Sequence, residues 1–337
     1  MLTSLVLALA LAPAPPQTVP NPPWHVIKHI PVGGDGFWDY LSIDPASHRL
    51  FISHGTHVEV VDVETGTKVG DIPNTPGVHG AAIAASLGKG FTSNGGDNTV
   101  TVFDLKTLKE TGRVTVGSRP DAILYDPATK RVFTFNAGSR DATAVDAVTD
   151  KVVGTVPLGG KPEFAASDER GHVFVNIEDT SEIAEIDAKG LKVTHRWPIA
   201  PGEEASGLAI DRKNHRLFAV CSNRKMAIVD CESGKVVASP EIGNGPDAAA
   251  FDDSSGLAFS SNGRDGTLTV IRRTSPDKFE VLDTVPTAPG ARTMALDPRT
   301  HRVYLVTARR KPVPAGETAP RRPSFEPNSF EVIVVGR

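Results

Sequence analysis

Eight side chains of this sequence have the types and the irregular placing that chemistry needs: Trp38, Asp39, His54, His79, Asp121, Glu163, Asp247 and Arg292. All but Trp38 are ionisable, and four are acids. A carboxylate beside an imidazole either binds a divalent metal or acts as an acid/base pair. If one cation is held, Asp39, His54 and His79 are its expected ligands, with Asp247 as a further candidate. Phe37, Trp38 and Tyr40 flank Asp39 and offer an apolar or stacking wall; Trp38 and Tyr40 serve equally well as packing between repeats. His57 falls near the same group. There is no Gly-x-Ser-x-Gly, no His-Glu-x-x-His and no phosphate-binding loop. His25-x-x-x-His29 has β-type residues between its histidines, and on a strand the two would stand ~13 Å apart, too far for a zinc pair.

The elements that must carry these residues come from a repeat. An Asp, often Asp-Pro, is followed about seven residues later by an aromatic: Asp44 and Phe51, Asp126 and Phe133, Asp168 and Phe174, Asp211 and Phe218, Asp252 and Phe259, Asp297 and Tyr304. Phe91 fills the slot in the second repeat, after a shorter turn. The spacings between these seven aromatics are 40, 42, 41, 44, 41 and 45. Each repeat carries four strand signals, as in Tyr40–Ile43, Leu50–Ser53, Val58–Asp62 and Lys68–Ile72. Four short antiparallel strands per ~42-residue unit make a propeller blade. The seventh repeat stops after its third strand at Arg337, and Trp24–Val32 is an orphan that resembles the fourth strands. The expected fold is all-β: a seven-bladed β-propeller closed by the N-terminal strand completing the last blade. Its blades lie near 36–77, 78–119, 120–161, 162–205, 206–245, 246–290 and 291–337, the last joined by 24–35.

Within that fold the first strand of each blade starts at one mouth of the central channel. Counting twelve residues back from each aromatic gives Asp39, His79, Asp121, Ser206, Asp247 and Arg292, with Glu163 at eleven. Repeat-structural positions look alike, and these do not. An asymmetric ligand site has that property, and so does a solvated rim free to vary. Counting three forward gives His54, Asn94, Asn136, Cys221, Asn262 and Thr307, with Asn176 at two. The asparagines are alike and read as structural, taking the left-handed conformation or capping turns. His48, His215 and His301 sit in X-His-Arg turns on the opposite face, with His172 in a similar place, and read as turn residues.

The 337 residues carry a formal net charge of -4, which disfavours a broad nucleic-acid surface. Residues 1–17 resemble a secretory signal peptide without a basic n-region, and 18–23 a Pro-rich leader, which together imply export to the periplasm or beyond. No later stretch reaches the ~18 apolar residues of a membrane span. Cys221 and Cys231 fall at far ends of a hairpin and are expected as two free thiols. A Pro-rich insertion with five basic residues, 309–328, leaves the last blade on the mouth face, as a semi-rigid basic flap or a loose loop.

The second-strand phrases Phe91-Thr-Ser-Asn94, Phe133-Thr-Phe-Asn136 and Phe259-Ser-Ser-Asn262, with Asp97–Asp104 and Ser233–Val237, resemble the YVTN-repeat (YncE-like) propeller family over residues 24–337. That resemblance implies an exported bacterial protein. Related propellers include lactonases, surface-layer proteins and domains of redox enzymes. Three functions stand open: a monomeric scaffold binding a small molecule or a protein partner at its mouth; a metal-assisted lactonase or other hydrolase using Asp39, His54, His79 and Asp247; and single-stranded nucleic-acid binding through the flap and mouth aromatics, which the acidic ring opposes.

Overall fold

The computed structural model describes residues 22–34, 37–312 and 324–337. The segment read as a signal peptide and most of the leader lie outside the described residues. The described residues form seven sheets of four antiparallel strands. After β1 (His25–Pro31), blade one comprises β2 (Leu41–Asp44), β3 (Arg49–His54), β4 (His57–Asp62) and β5 (Thr67–Ile72), hydrogen-bonded in that order. Every later blade repeats the pattern up to the seventh, which runs β26 (Met294–Asp297), β27 (Arg302–Thr307), β28 (Glu331–Gly336) and then β1.

The middle strands are buried on both faces because each sheet is sandwiched between two others. Leu50, Phe51 and Ile52 of β3 are at most 1% exposed. Their alternate side chains serve different neighbours: Leu50 and Ile52 pack towards blade seven, while Phe51 meets Phe103 of blade two at 5.9 Å between ring centroids. The repeated aromatic is thus the pin between consecutive blades, each buried ring contributing ~1.5–3 kcal/mol by burial. Outermost strands such as β5 face water along most of their length.

Closure follows the expected route. β1 pairs antiparallel with β28, from His25 opposite Gly336 to Pro31 opposite Glu331. Trp24 meets Phe259 edge-on at 5.1 Å, and Arg337 lies over the same indole. β1 thus supplies the outermost strand of blade seven, so the first and last strands of the described residues share one sheet.

The Asp of the repeat holds the turn between first and second strands. Asp126, for instance, accepts from Thr129 N (3.0 Å) and Thr129 Oγ1 (2.6 Å), and from Ser167 Oγ of the next blade (2.7 Å). His48, His215 and His301 occupy the left-handed position of these turns, with φ of 58°, 56° and 59°. His172 does not: it opens a strand, His172–Ile177, and pairs with Asp168. The asparagines also differ from expectation. They stay extended, because each bridges two strands: Asn94 Oδ1 accepts from Thr92, and its Nδ2 donates to Thr99 (3.0 Å) and Thr101 (2.9 Å). Asn136 and Asn262 repeat this network. Cys221 and Cys231 are both free. Among the described residues no helix is long and apolar enough to cross a membrane.

Candidate functional site at the channel mouth

The innermost strands begin irregularly. The register slips between Val78 and Gly80, Pro120 and Ile123, Pro162 and Ala165, and Pro246 and Ala249. A bulge of this kind re-aims the side chain it contains. The bulged residues are His79, Asp121, Glu163 and Asp247, and Asp39 and Arg292 occupy the matching places just ahead of β2 and β26.

The structure joins Asp39, His79, Asp121, Asp247 and Arg292 into one network, which Glu163 meets through the charge of Asp121. His79 Nδ1 lies 2.6 Å from Asp39 Oδ2 and 3.5 Å from Asp121 Oδ1. Arg292 pairs with Asp247 through Nη1, while its Nη2 donates to Asp39 Oδ1 (3.2 Å) and to the Trp38 carbonyl (2.9 Å). Lys161 Nζ reaches Glu163 at 2.6 Å and also pairs with Glu178. Gly95 makes room for the imidazole, since a Cβ there would come within 2.8 Å of His79 Nε2.

Acid is in excess over base, and burial makes the excess costly. Burial pushes the Asp121 carboxyl up, and the Asp39 and Asp247 charges offset the pull of His79 in the other direction. Burial, then Asp121, pushes Glu163 up to about 8 despite Lys161. Asp247 is raised by burial and by Asp39, against Arg292. The bases respond in kind: burial opposes the charge on His79, but Asp39 and Asp121 outweigh it and the imidazole is raised. Arg292 is likewise held cationic by Asp247 and Asp39 against burial.

A floor lies beneath the network. Tyr40 of blade one and Phe164 of blade four meet across the channel with centroids 4.1 Å apart. Burial first, then Asp121 and Glu163, holds the Tyr40 hydroxyl well above its usual range. Below this plug the channel is an apolar cavity of about 290 Å³, lined by Ile43, Ile123, Ala250 and Leu296 among others.

Two expected residues lie elsewhere. His54 does not converge with Asp39 and His79, so the ligand set Asp39, His54 and His79 is not assembled. Its imidazole faces the seam with blade seven, stacked on Phe330 at 4.4 Å and 3.8 Å from Glu59. The reason is the two-residue period of a strand: His54 sits at the mouth end of β3, but its side chain leaves from the side occupied by Leu50 and Ile52. Trp38 is also turned from the network. Its ring packs on Phe330 (5.4 Å) and Phe325 (4.9 Å), and only its carbonyl touches the mouth. The described base of the insertion is stitched at this rim by Lys311 N donating to Ser324 O and by Arg309 Nε donating to Glu326. There Phe37, Trp38, Arg292, Arg310 and Phe325 border a side pocket of about 250 Å³. The rest of the flap, residues 313–323, lies outside the described residues.

Counting missed Lys161 and Phe164. Phe164 had a visible signal: the residue after each mouth position is Gly80, Ala122, Gly207, Ala248 or Thr293 in five blades, but Tyr40 and Phe164 in the other two.

No protein-family model matches the chain, and no curated protein matches it in sequence. In structure it is similar to the Kuenenia stuttgartiensis hydrazine synthase, with a TM-score of 0.70 and 18% identity over 80% of this chain and 92% of that one. It is also similar to U3-55K (TM-score 0.75, 10% identity, 91% and 98% covered) and to the WD40 repeats of RRP9 (TM-score 0.75, 10% identity, 92% and 98% covered). At these identities the likeness is one of fold, and the fold is the seven-bladed propeller.

Proposed function

We propose that this chain is an exported propeller of the YVTN-repeat type, acting as a binding scaffold whose channel mouth takes a cationic ligand. The ligand is a small protonated amine or a basic side chain on a partner's loop. One observation carries the reading: Asp121, Glu163 and Asp247 are all raised by burial and by neighbouring carboxylates, in a mouth where, among the described residues, Asp39, Asp121, Glu163 and Asp247 outnumber His79, Arg292 and Lys161. A cation entering there relieves repulsion already present in the free protein. The Tyr40–Phe164 floor supports a ligand that stops at the mouth, and adds aromatic surface for an alkylammonium. The repeat phrases support the family, and the apolar N-terminal run supports export.

Calorimetric titration with an aliphatic diamine tests this. Binding to the natural chain that falls at least tenfold in Asp121→Asn is expected. Equal heats for both proteins, or none for either, would overturn it.

A second reading, the metal-assisted hydrolase, is favoured by the placing of Asp39, His79 and Asp121, whose ligand atoms lie within 4.8 Å of one another. It requires lactone hydrolysis that EDTA abolishes, added metal restores and His79→Asn removes.

A further inference from the structure

We infer that His54, His57 and Glu59 form a transition-metal site, for a borderline divalent ion such as Zn²⁺, at the seam of blades one and seven and separate from the channel mouth. The hairpin of β3 and β4 dictates the grouping. His54 and His57 face each other across the tight turn, and Glu59, two residues beyond His57, leaves from the same side of β4. Glu59 Oε1 lies 2.9 Å from His57 Nε2 and 3.8 Å from His54 Nδ1. Ligand atoms ~2.0–2.1 Å from a tetrahedral ion stand roughly 3.4 Å apart, so these separations bracket the value an ion would impose.

The comparison with sister blades is the strongest argument. The positions matching His54, His57 and Glu59 are Asn94, Thr99 and Thr101 in blade two, and Asn262, Thr267 and Thr269 in blade six. There a neutral asparagine donates to two threonines, and the network is closed. Blade one replaces all three residues at once with metal-ligand types, and the network no longer closes. Among the described residues, neither ring nitrogen of His54 has a hydrogen-bond partner, although the residue is only 2% exposed. A buried imidazole with both nitrogens unmet needs an explanation, and a bound ion supplies one.

The surroundings suit an ion. Phe330 stacks on His54, and Gly34 covers its edge, where a Cβ would stand 3.1 Å from Cε1. Lys68 Nζ holds the other Glu59 oxygen at 2.6 Å, leaving Oε1 for the ion, and His57 Nδ1 lies 3.3 Å from Thr56 Oγ1. Such outer partners orient metal ligands. His57 and Lys68 also border a surface pocket of about 700 Å³, from which water or another donor reaches a fourth position. Two imidazoles with one carboxylate favour Zn²⁺ or Co²⁺ over Ca²⁺ and Mg²⁺.

The test titrates the full chain with Co²⁺ and Zn²⁺, reading the visible absorption of four-coordinate Co²⁺ and the zinc stoichiometry. The mouth variant Asp121→Asn is run alongside to separate the two sites. Expected is one ion with the tetrahedral Co²⁺ spectrum in both the natural chain and Asp121→Asn. His57→Asn should weaken binding more than ~10-fold. The combined variant His54→Asn, His57→Thr, Glu59→Thr restores the two donations from asparagine to threonine made in the sister blades, so it should fold and lose the spectrum. The inference is overturned if the combined variant keeps the spectrum, if Asp121→Asn alone removes it, or if the natural chain takes up no ion at micromolar concentrations.

Discussion

The two faces of this propeller treat carboxylates in opposite ways. On the face away from the mouth, Asp62, Asp104, Asp146, Asp187 and Asp230 close the hairpins between third and fourth strands. Each accepts from backbone N–H groups of the turn that follows: Asp146 Oδ1, for example, takes Thr149 N at 2.8 Å and Val148 N at 3.0 Å. All five are held below the usual carboxylate range; hydrogen bonds from the turn do this, in Asp230 against a larger opposing effect of burial. At the mouth, Asp121, Glu163 and Asp247 are raised. The turn carboxylates are alike from blade to blade and satisfied by their own chain. The mouth carboxylates differ from blade to blade and are left crowding one another. Satisfied charge contributes to folding, whereas crowded charge costs stability and marks the mouth as a candidate site.

The sharpest way to break this contrast is to remove one carboxylate from each region and compare signs. Asp126→Ala takes away a fully buried acceptor from Thr129 and Ser167, and with it a tie between two blades. A loss of ~2–3 kcal/mol is expected in urea unfolding at neutral pH. A loss below ~0.5 kcal/mol, the size of an ordinary surface change, would mean that the turn acids do not organise the blades.

Glu163→Gln should move stability the other way, and increasingly so as pH rises from the ordinary glutamate value of ~4.5 towards about 8. The folded value of Glu163, about 8, lies above its unfolded value. Its contribution is therefore fully present below the unfolded value and is lost as pH rises through about 8. At pH 4 glutamine and the protonated acid are equivalent. At pH ~9 the variant should be more stable than the natural chain by ~1–2 kcal/mol, since each tenfold change in proton affinity is worth ~1.4 kcal/mol before losses to solvent screening and to the Lys161 contact. The turn acids have the reverse dependence: their stability is present above the unfolded value and lost as pH falls through the folded ones. A Glu163→Gln effect that is equal at pH 4 and pH 9 would point to hydrogen bonding rather than charge.

The contrast also explains what could be read from the chain alone. The period, the blade count and the closing strand were legible because they rest on repetition: Asp44 and Phe51 have counterparts in nearly every blade, and Trp24–Val32 has the look of a missing fourth strand. The mouth acids were legible because the repeat fixes where each inner strand starts. His54 was misplaced because counting locates a residue along a strand but not the side from which its side chain leaves, and a single step reverses that side. The bulges that aim His79 and Asp121 into the channel leave no mark in composition. The plug was hidden for another reason: Tyr40 and Phe164 are 124 residues apart, and only the closed ring brings blade one opposite blade four.

The smallest expected effect is also the most specific to the mouth. If a cation is held by Asp121, Glu163 and Asp247, its affinity must follow their ionisation and the discharge of His79. Glu163 loses its proton near pH 8, and discharge of the raised imidazole of His79 acts in the same direction, so both changes favour a cation as pH rises. Diamine affinity should therefore climb about tenfold between pH ~6.5 and pH ~8.5, while the diamine itself stays protonated. Glu163→Gln and His79→Asn should each flatten that climb, and Asp126→Ala should leave the slope unchanged because its carboxylate faces the turns. A pH-independent affinity, or a slope that Asp126→Ala alters as much as Glu163→Gln does, would remove the distinction between the two faces on which the cationic reading stands.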